Sequence, residues 1–260
     1  MREPTTRGVA WITGGGSGIG RAAALALGAA GFLVVVSGRR QVELDETVRL
    51  LQVAQRTASA LVLDVSDGEA VQAAAQRIEA EQGPVRLLVC AAGLNVPGRS
   101  WADVRLQDYR RVASVNLDGV VHTVHATLPA MRTRGAGTIV VISSWAGREF
   151  LPVAGMAYGA TKAALSPLVE SINCEEGRHG IRASLVMPGE VATPMLMTRP
   201  QPPSARDFDR MLQPEDLGDL IRFIATAPPR VCVGEVLIGP IWNRIYIGAD
   251  DMRVTRPPKP

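Results

Sequence analysis

Thr13-Gly14-Gly15-Gly16-Ser17-Gly18-Ile19-Gly20 is the stretch whose reading decides the fold. Before it runs Gly8-Val9-Ala10-Trp11-Ile12-Thr13, short and mostly apolar, as suits a strand buried on both faces. After it, Arg21–Ala30 reads as an alanine-rich helix. Glycines between a strand and a helix permit a tight turn and bring backbone N–H groups up to a pyrophosphate at the helix N-terminus. The spacing Gly14-x-x-x-Gly18-x-Gly20 differs from the usual dinucleotide fingerprint. Taken alone, it reads equally well as a glycine-rich loop with no ligand. The strand–turn–helix setting favours a cofactor.

The same alternation continues along the chain. Phe32–Ser37, Ala60–Leu63, Arg86–Cys90, Thr138–Ser143, Ile181–Met187 and Val233–Ile238 read as short buried strands. Helical stretches lie between most of them, at Leu44–Gln55, Glu69–Gln82, Asp108–Arg134, Ala157–Glu176 and Pro214–Ala227. Strands alternating with helices imply right-handed crossovers and a parallel sheet covered on both faces. The expected fold is α/β: a single-domain doubly wound parallel sheet, a Rossmann fold, with ligands beyond the carboxyl ends of the strands.

Bulk properties fit one such domain over residues 8–248, with polar, Pro-containing tails at 1–7 and 249–260. The 260 residues suffice for a large core without disulfide or metal. A formal charge of +3 comes from scattered arginines, not a basic stripe, so no nucleic-acid partner is expected. Nothing resembles a signal peptide or an apolar membrane span, which predicts a cytoplasmic protein with no membrane partner. Cys90, Cys174 and Cys232 sit in apolar segments and read as reduced core thiols. His122 and His125, spaced i, i+3 without nearby carboxylates, make a poor metal site, so no metal is expected. His179 suits a helix end, where a cation favours the dipole.

About 140 positions after the glycine turn stands Tyr158-Gly159-Ala160-Thr161-Lys162. On a helix, residues i and i+4 share a face, so Lys162 can sit beside Tyr158. A free tyrosine titrates near pH 10, about three units too high for acid–base work at neutrality. A nearby cation lowers that value. Each residue alone reads as a solvated side chain or a cap; the ordered set reads as chemistry.

Taken together, the residues closely resemble the short-chain dehydrogenase/reductase family from about Gly8 to Gly239. The match rests on Thr13–Gly20, Asp64-Val65, Cys90-Ala91-Ala92-Gly93, Asn116 in Ser114-Val115-Asn116, Ser143-Ser144-Trp145-Ala146-Gly147, Tyr158-x-x-x-Lys162, and Pro188-Gly189-Glu190-Val191-Ala192-Thr193-Pro194. The resemblance implies that Tyr158 trades a proton with the substrate oxygen and that Lys162 also holds the nicotinamide ribose. It implies that Ser144 hydrogen-bonds the same oxygen and Asn116 anchors a water leading to Lys162. The implied cofactor contacts are Gly14, Ser17, Gly18, Ile19, Gly20, Arg39, Arg40, Asp64, Val65, Ala91, Ala92, Gly93, Tyr158, Lys162, Pro188, Gly189, Val191 and Thr193. Two departures stand out: Cys90 replaces the family's Asn, and Gly234–Asn243 lacks its Asp-Gly-Gly.

The cofactor expected is NADP(H), with NAD(H) possible. Val36-Ser37-Gly38-Arg39-Arg40 ends the second strand without the acid that would bind a ribose 2′-OH and repel a 2′-phosphate. Arg39 offers a guanidinium matched to phosphate, with Arg40 as a helper. The expected reaction interconverts a small to medium, mainly apolar carbonyl compound and its secondary alcohol. Rival readings are an NAD-dependent alcohol dehydrogenase, an epimerase or dehydratase on the same fold, and a catalytically silent dinucleotide-binding regulator.

Leu94–Pro97, Trp145–Pro152 and Glu190–Met197 should line the pocket, with Ser144, Trp145, Phe150 and Met195 against the substrate and Arg148, Glu149, Glu190 and Arg199 in or near these segments. Residues 193–213 read as a lid that orders on binding. Apolar stripes on 108–134 (Val112, Val115, Leu117, Val120, Val121, Val124) and 157–176 (Ala163, Ala164, Leu168, Ile172), together with the family's habit of pairing these helices, lead to an expected homodimer or homotetramer.

Overall fold

The computed structural model describes residues 7–244. The apolar run before the glycine turn forms β1 (Val9–Thr13), which pairs in parallel with β2 (Leu33–Gly38) on one side and β4 (Val85–Cys90) on the other. With β3 (Ala58–Val62), β5 (Gly137–Ile142), β6 (Ile181–Pro188) and β7 (Glu235–Ile238) they make a sheet in the order β3-β2-β1-β4-β5-β6-β7, parallel throughout. The order reverses between β1 and β4, so a crevice opens there at the carboxyl ends of the strands.

Successive strand residues face opposite sides of the sheet, and helices cover both. Val9 and Trp11 point to the face covered by α3 (Gly68–Glu81), α5 (Gly119–Arg134) and α7 (Leu165–Glu176). Ala10 and Ile12 point to the face covered by α1 (Gly18–Ala29), α2 (Gln41–Val53) and α9 (Pro214–Thr226). A buried polar pairing between β1 and β2 is satisfied internally: the Trp11 indole donates to Ser37 Oγ at 2.9 Å. Local signals set the helix starts. Asp67 caps α3 by accepting from Ala70 N at 3.0 Å, and Pro214 opens α9 behind a reciprocal cap between Gln213 and Asp216.

The structure corrects several sequence expectations. The strands at the two ends of the sheet, β3 and β7, are half-buried rather than buried, because each has a strand on one side only. The helix expected over Asp108–Arg134 is α4 (Leu106–Ala113), a widened π turn over Ser114–Asp118, and α5. The helix expected over Ala157–Glu176 breaks at Ala164 into α6 (Met156–Ala163) and α7. Pro167 lacks the N–H that would bond the Ala163 carbonyl, which accounts for the break. Cys90 is buried, but Cys174 and Cys232 are exposed, on α7 and on the connection into β7; all three are free thiols.

Of the interhelical stripe on α4 and α5, Val112, Val115, Val120 and Val124 are buried in the chain's own core, while Val121 is 43% exposed. The terminal tails lie outside the described residues, except for Arg7. No helix among the described residues is long and apolar enough to cross a membrane.

Candidate active site

The glycine turn closes β1 against the start of α1. Gly14 and Gly18 have φ of 68° and 51°, and a Cβ on Gly20 would fall 2.2 Å from the Gly14 carbonyl oxygen. Arg21 pins the turn to α2, donating to the Gly16 carbonyl, to Thr47 Oγ1 at 3.0 Å and to Glu43 Oε2 at 3.2 Å. No side chain caps α1 at Ser17, and no acid stands in its first turn. The orphan N–H groups and the positive end of the helix dipole therefore remain available to an anion in the adjoining space.

That space is a cavity of about 340 Å³ along the carboxyl edge of the sheet. One flank is lined by Gly14, Ser17, Gly18, Ile19 and Gly20, then by Arg39 and Arg40 past β2, and by Asp64 and Val65 past β3. Ala91, Ala92 and Gly93 past β4, and Pro188, Gly189, Val191 and Thr193 past β6, complete it. Every residue the family resemblance assigns to the cofactor thus borders one space, and the open helix start and glycine-rich turn fit a dinucleotide. Both arginines are mostly exposed and loosely held, Arg39 at 3.9 Å from Asp64 and Arg40 at 3.8 Å from Glu43. Partial burial pushes the Asp64 carboxyl up, but hydrogen bonds from Ser66 and the charge of Arg39 hold it below its usual range.

Tyr158 and Lys162 share a face of α6 and line the same cavity. Lys162 is 4% exposed; its Nζ donates to the Ile142 carbonyl at 2.7 Å, and its own carbonyl accepts from Ser143 Oγ at 2.9 Å. These two bonds fix α6 to the end of β5. Burial drives the Lys162 ammonium down to about 8. Its Nζ lies 5.8 Å from the centre of the Tyr158 ring.

A lysine four residues on is expected to lower the Tyr158 phenol. In this structure burial dominates instead and the phenol stands above its ordinary value, while a hydrogen bond from Ser144 and the charges of Arg199 and Arg99 pull it the other way. Ser144 also accepts from Ala146 N at 3.2 Å. Asn116 is fully buried beneath the cavity wall, in the π turn. Its amide accepts from Leu94 N at 2.8 Å and donates to the Leu94 carbonyl at 3.0 Å, fixing the loop after β4.

The other flank is partly apolar. Trp145, Leu151, Val153, Met195 and Leu196 line it. Phe150 does not: it is 72% exposed and off the cavity, because the chain turns outward after the short helical turn Trp145–Gly147. Arg148 and Glu149 are likewise off the cavity, whereas Glu190 and Arg199 line it.

Glu190 is 8% exposed and accepts from Arg199 at 2.6 Å and from Arg244 at 2.8 Å. Burial pushes its carboxyl up, and the two guanidiniums outweigh that and hold it below the usual range. This cluster anchors a segment expected to order on binding, which already carries a turn at Pro194–Thr198 and α8 (Ala205–Phe208) with a reciprocal Ser204–Asp207 cap. Asn95, in the expected Leu94–Pro97 segment, lines the cavity; Arg99 and Val153 also line it and no sequence signal marks them, since isolated residues carry no motif. His122 Nδ1 lies 2.9 Å from the Val65 carbonyl, and no cluster of three metal-ligating side chains occurs among the described residues.

Comparison with known proteins gives consistent matches. A family model described as short chain dehydrogenase matches residues 8–203. The chain is 34% identical to sulfoacetaldehyde reductase 2 of Chromohalobacter salexigens over 92% of its own length and 98% of that protein's. It is 31% identical to a glycine betaine reductase of Emericella nidulans over 92% of its own length, and spans only 19% of that longer protein. An alcohol dehydrogenase from the archaeon Thermococcus sibiricus, solved with 5-hydroxy-NADP, superposes with a TM-score of 0.81 at 27% identity, covering 91% of this chain and 97% of that one.

Breaking a buried ion pair from one side costs about 3 to 5 kcal/mol, so Glu190→Gln is expected to lower the melting temperature at neutral pH. Because the folded Glu190 carboxyl titrates below its unfolded value, its stabilisation is present above the ordinary carboxylate pKa and is lost as pH falls through the lower, folded one. The gap between wild type and variant should therefore narrow in melting curves taken below about pH 4.

Proposed function

The chain belongs to the short-chain dehydrogenase/reductase family, and we propose that it interconverts a carbonyl and a secondary alcohol using NADP(H), with Tyr158 as proton donor and acceptor. Family membership makes it an NAD(P)-dependent oxidoreductase acting on CH–OH and C=O groups. The observation that carries the finer reading is Tyr158 on the cavity that also gathers the glycine turn and Ser144, held on a helix that Lys162 anchors to β5.

The nicotinamide cofactor supplies or accepts the hydride when bound. The chain's own residues do the rest. Tyr158 is protonated at neutral pH and donates to the oxygen of a carbonyl as it is reduced, or takes the proton back from an alcohol. Ser144 lines the same cavity and stands ready to orient the same substrate oxygen. Lys162 keeps its charge below about pH 8, where it would hold the nicotinamide ribose. Asn116 positions the wall at Leu94 rather than touching the substrate. The apolar flank at Trp145, Leu151 and Met195 suits the body of a small to medium substrate, and the relative named for sulfoacetaldehyde supports the small end of that range.

Preference for NADP(H) is supported by Gly38, Arg39 and Arg40 at the end of β2, and by the neighbour solved with a hydroxy-NADP. Assembly as a homodimer or homotetramer is supported by a shallow groove between α5 and α7, where Val121, Leu128 and Leu168 stand beside the Arg132–Glu176 ion pair.

Tyr158→Phe removes the proton route and should cut kcat by about 100- to 10,000-fold with the melting temperature unchanged; wild-type turnover on a verified substrate would refute the assignment. NADPH should outperform NADH at matched concentration. Arg39→Ala should lower that preference by about 10- to 100-fold, the worth of a charge-assisted contact; an unchanged ratio would remove Arg39 from the phosphate site. Light scattering at micromolar protein should give a dimeric or tetrameric mass, and a monomeric mass would count against the groove as an interface.

A further inference from the structure

Arg99 lies on the loop after β4 and enters the cavity beside Tyr158. Its placement is built rather than incidental. Its Nε donates to the Val96 carbonyl at 3.0 Å, Nη1 to the Val153 carbonyl, and Nη2 reaches Thr198 Oγ1 at 3.4 Å. Asn95 donates to the Ala154 carbonyl at 2.9 Å, stitching the same two segments together. Gly155, at φ 82°, lets the backbone pack against Arg99; a Cβ there would fall 2.8 Å from the Arg99 carbonyl oxygen. Arg99's own loop and two remote segments thus converge on one guanidinium.

All these partners are neutral. Among the described residues no carboxylate lies within ion-pairing distance of Arg99. The charge that acts on it most strongly is another cation, Arg199, which lines the same space and is already engaged by Glu190. Burial and the repulsion of Arg199 hold the Arg99 guanidinium down to about 10, still charged at neutral pH. A half-buried guanidinium has five N–H groups, and three are used here, so donors remain for a ligand in the cavity. Charges withdrawn from water in proteins are usually paired, and the cavity that Arg99 lines leaves room for an anionic group of a ligand.

We propose that the substrate is a small carbonyl or alcohol compound bearing an anionic group (carboxylate, sulfonate or phosphate) that docks on Arg99 while its reacting oxygen meets Tyr158. The proposal rests on the hydride-transfer reading for the reacting end and adds the charge at the other end. The apolar flank at Trp145 and Leu151 then contacts the short chain between the two ends, and a wholly apolar substrate would leave the Arg99 charge uncompensated.

4-Oxopentanoate and its methyl ester differ by one charge on the same carbon chain, and each is a ketone that reduces to a secondary alcohol, which makes them the probes of choice. With NADPH, the wild-type protein should favour the carboxylate by tenfold or more in kcat/KM. Arg99→Gln should reduce that ratio by tenfold or more, chiefly through KM, and Arg99→Lys should restore part of it. A wild-type ratio near one, or a ratio unmoved in Arg99→Gln, overturns the proposal.

Should neither ketone be turned over, calorimetric titration of succinate into the NADP-loaded protein decides separately from catalysis. Binding that is lost in Arg99→Gln supports the anion site, and absence of binding to wild type overturns it. If Arg99→Gln fails to fold, the wild-type and Arg99→Lys ratios decide in its place. A preference for the carboxylate kept in both proteins supports the proposal, and equal use of the two ketones overturns it.

Discussion

Parallel pairing obliges every strand to end at the same edge of the sheet, and the rest of this protein depends on that constraint. Parallel strands need crossovers, the crossovers bury both faces, and the loops that carry polar chemistry can gather only where strands finish. The glycine turn, Asp64, the Ala91–Gly93 stretch, Ser144 and the Pro188–Thr193 stretch come from five different strand ends and line one cavity because of it. Antiparallel hairpins would have divided these residues between two edges.

The same constraint sets the electrostatics. Deep in the cavity, next to the buried interior strands, ionisable groups are shifted mainly by burial. Burial lifts the Tyr158 phenol, lowers the Lys162 ammonium and acts on the Arg99 guanidinium before any neighbour does. Neighbouring charges then correct these shifts. Ser144, Arg199 and Arg99 oppose the rise in Tyr158, and two guanidiniums keep Glu190 ionised. Removing one member therefore changes the proton affinity of others.

Much of this was legible in the sequence because it rests on local signals. The short apolar runs marked the interior strands, the glycine spacing marked the turn, and the i, i+4 pair placed Tyr158 and Lys162 on one face. What escaped depends on contacts between distant segments. The π turn at Asn116 exists where its amide bonds Leu94, and nothing in Ser114–Asp118 announces it. Phe150 has the type and the segment of a pocket residue, yet it points outward. Arg99 is held by the Val96 carbonyl of its own loop and by the Val153 carbonyl and Thr198 hydroxyl of two remote loops, a set with no sequence pattern. The break at Ala164 was visible in Pro167, whose missing N–H outweighed a continuous helical pattern.

Hydride transfer to a carbonyl carbon at this edge, with Tyr158 supplying the proton, leaves a signature in the product. Reduction of a verified carbonyl substrate with NADPH deuterated at the transferring C4 position, in ordinary water, exposes it directly by mass spectrometry and proton NMR. The account predicts one deuterium on the carbinol carbon and none on its oxygen. A product with no deuterium at that carbon would contradict direct hydride transfer.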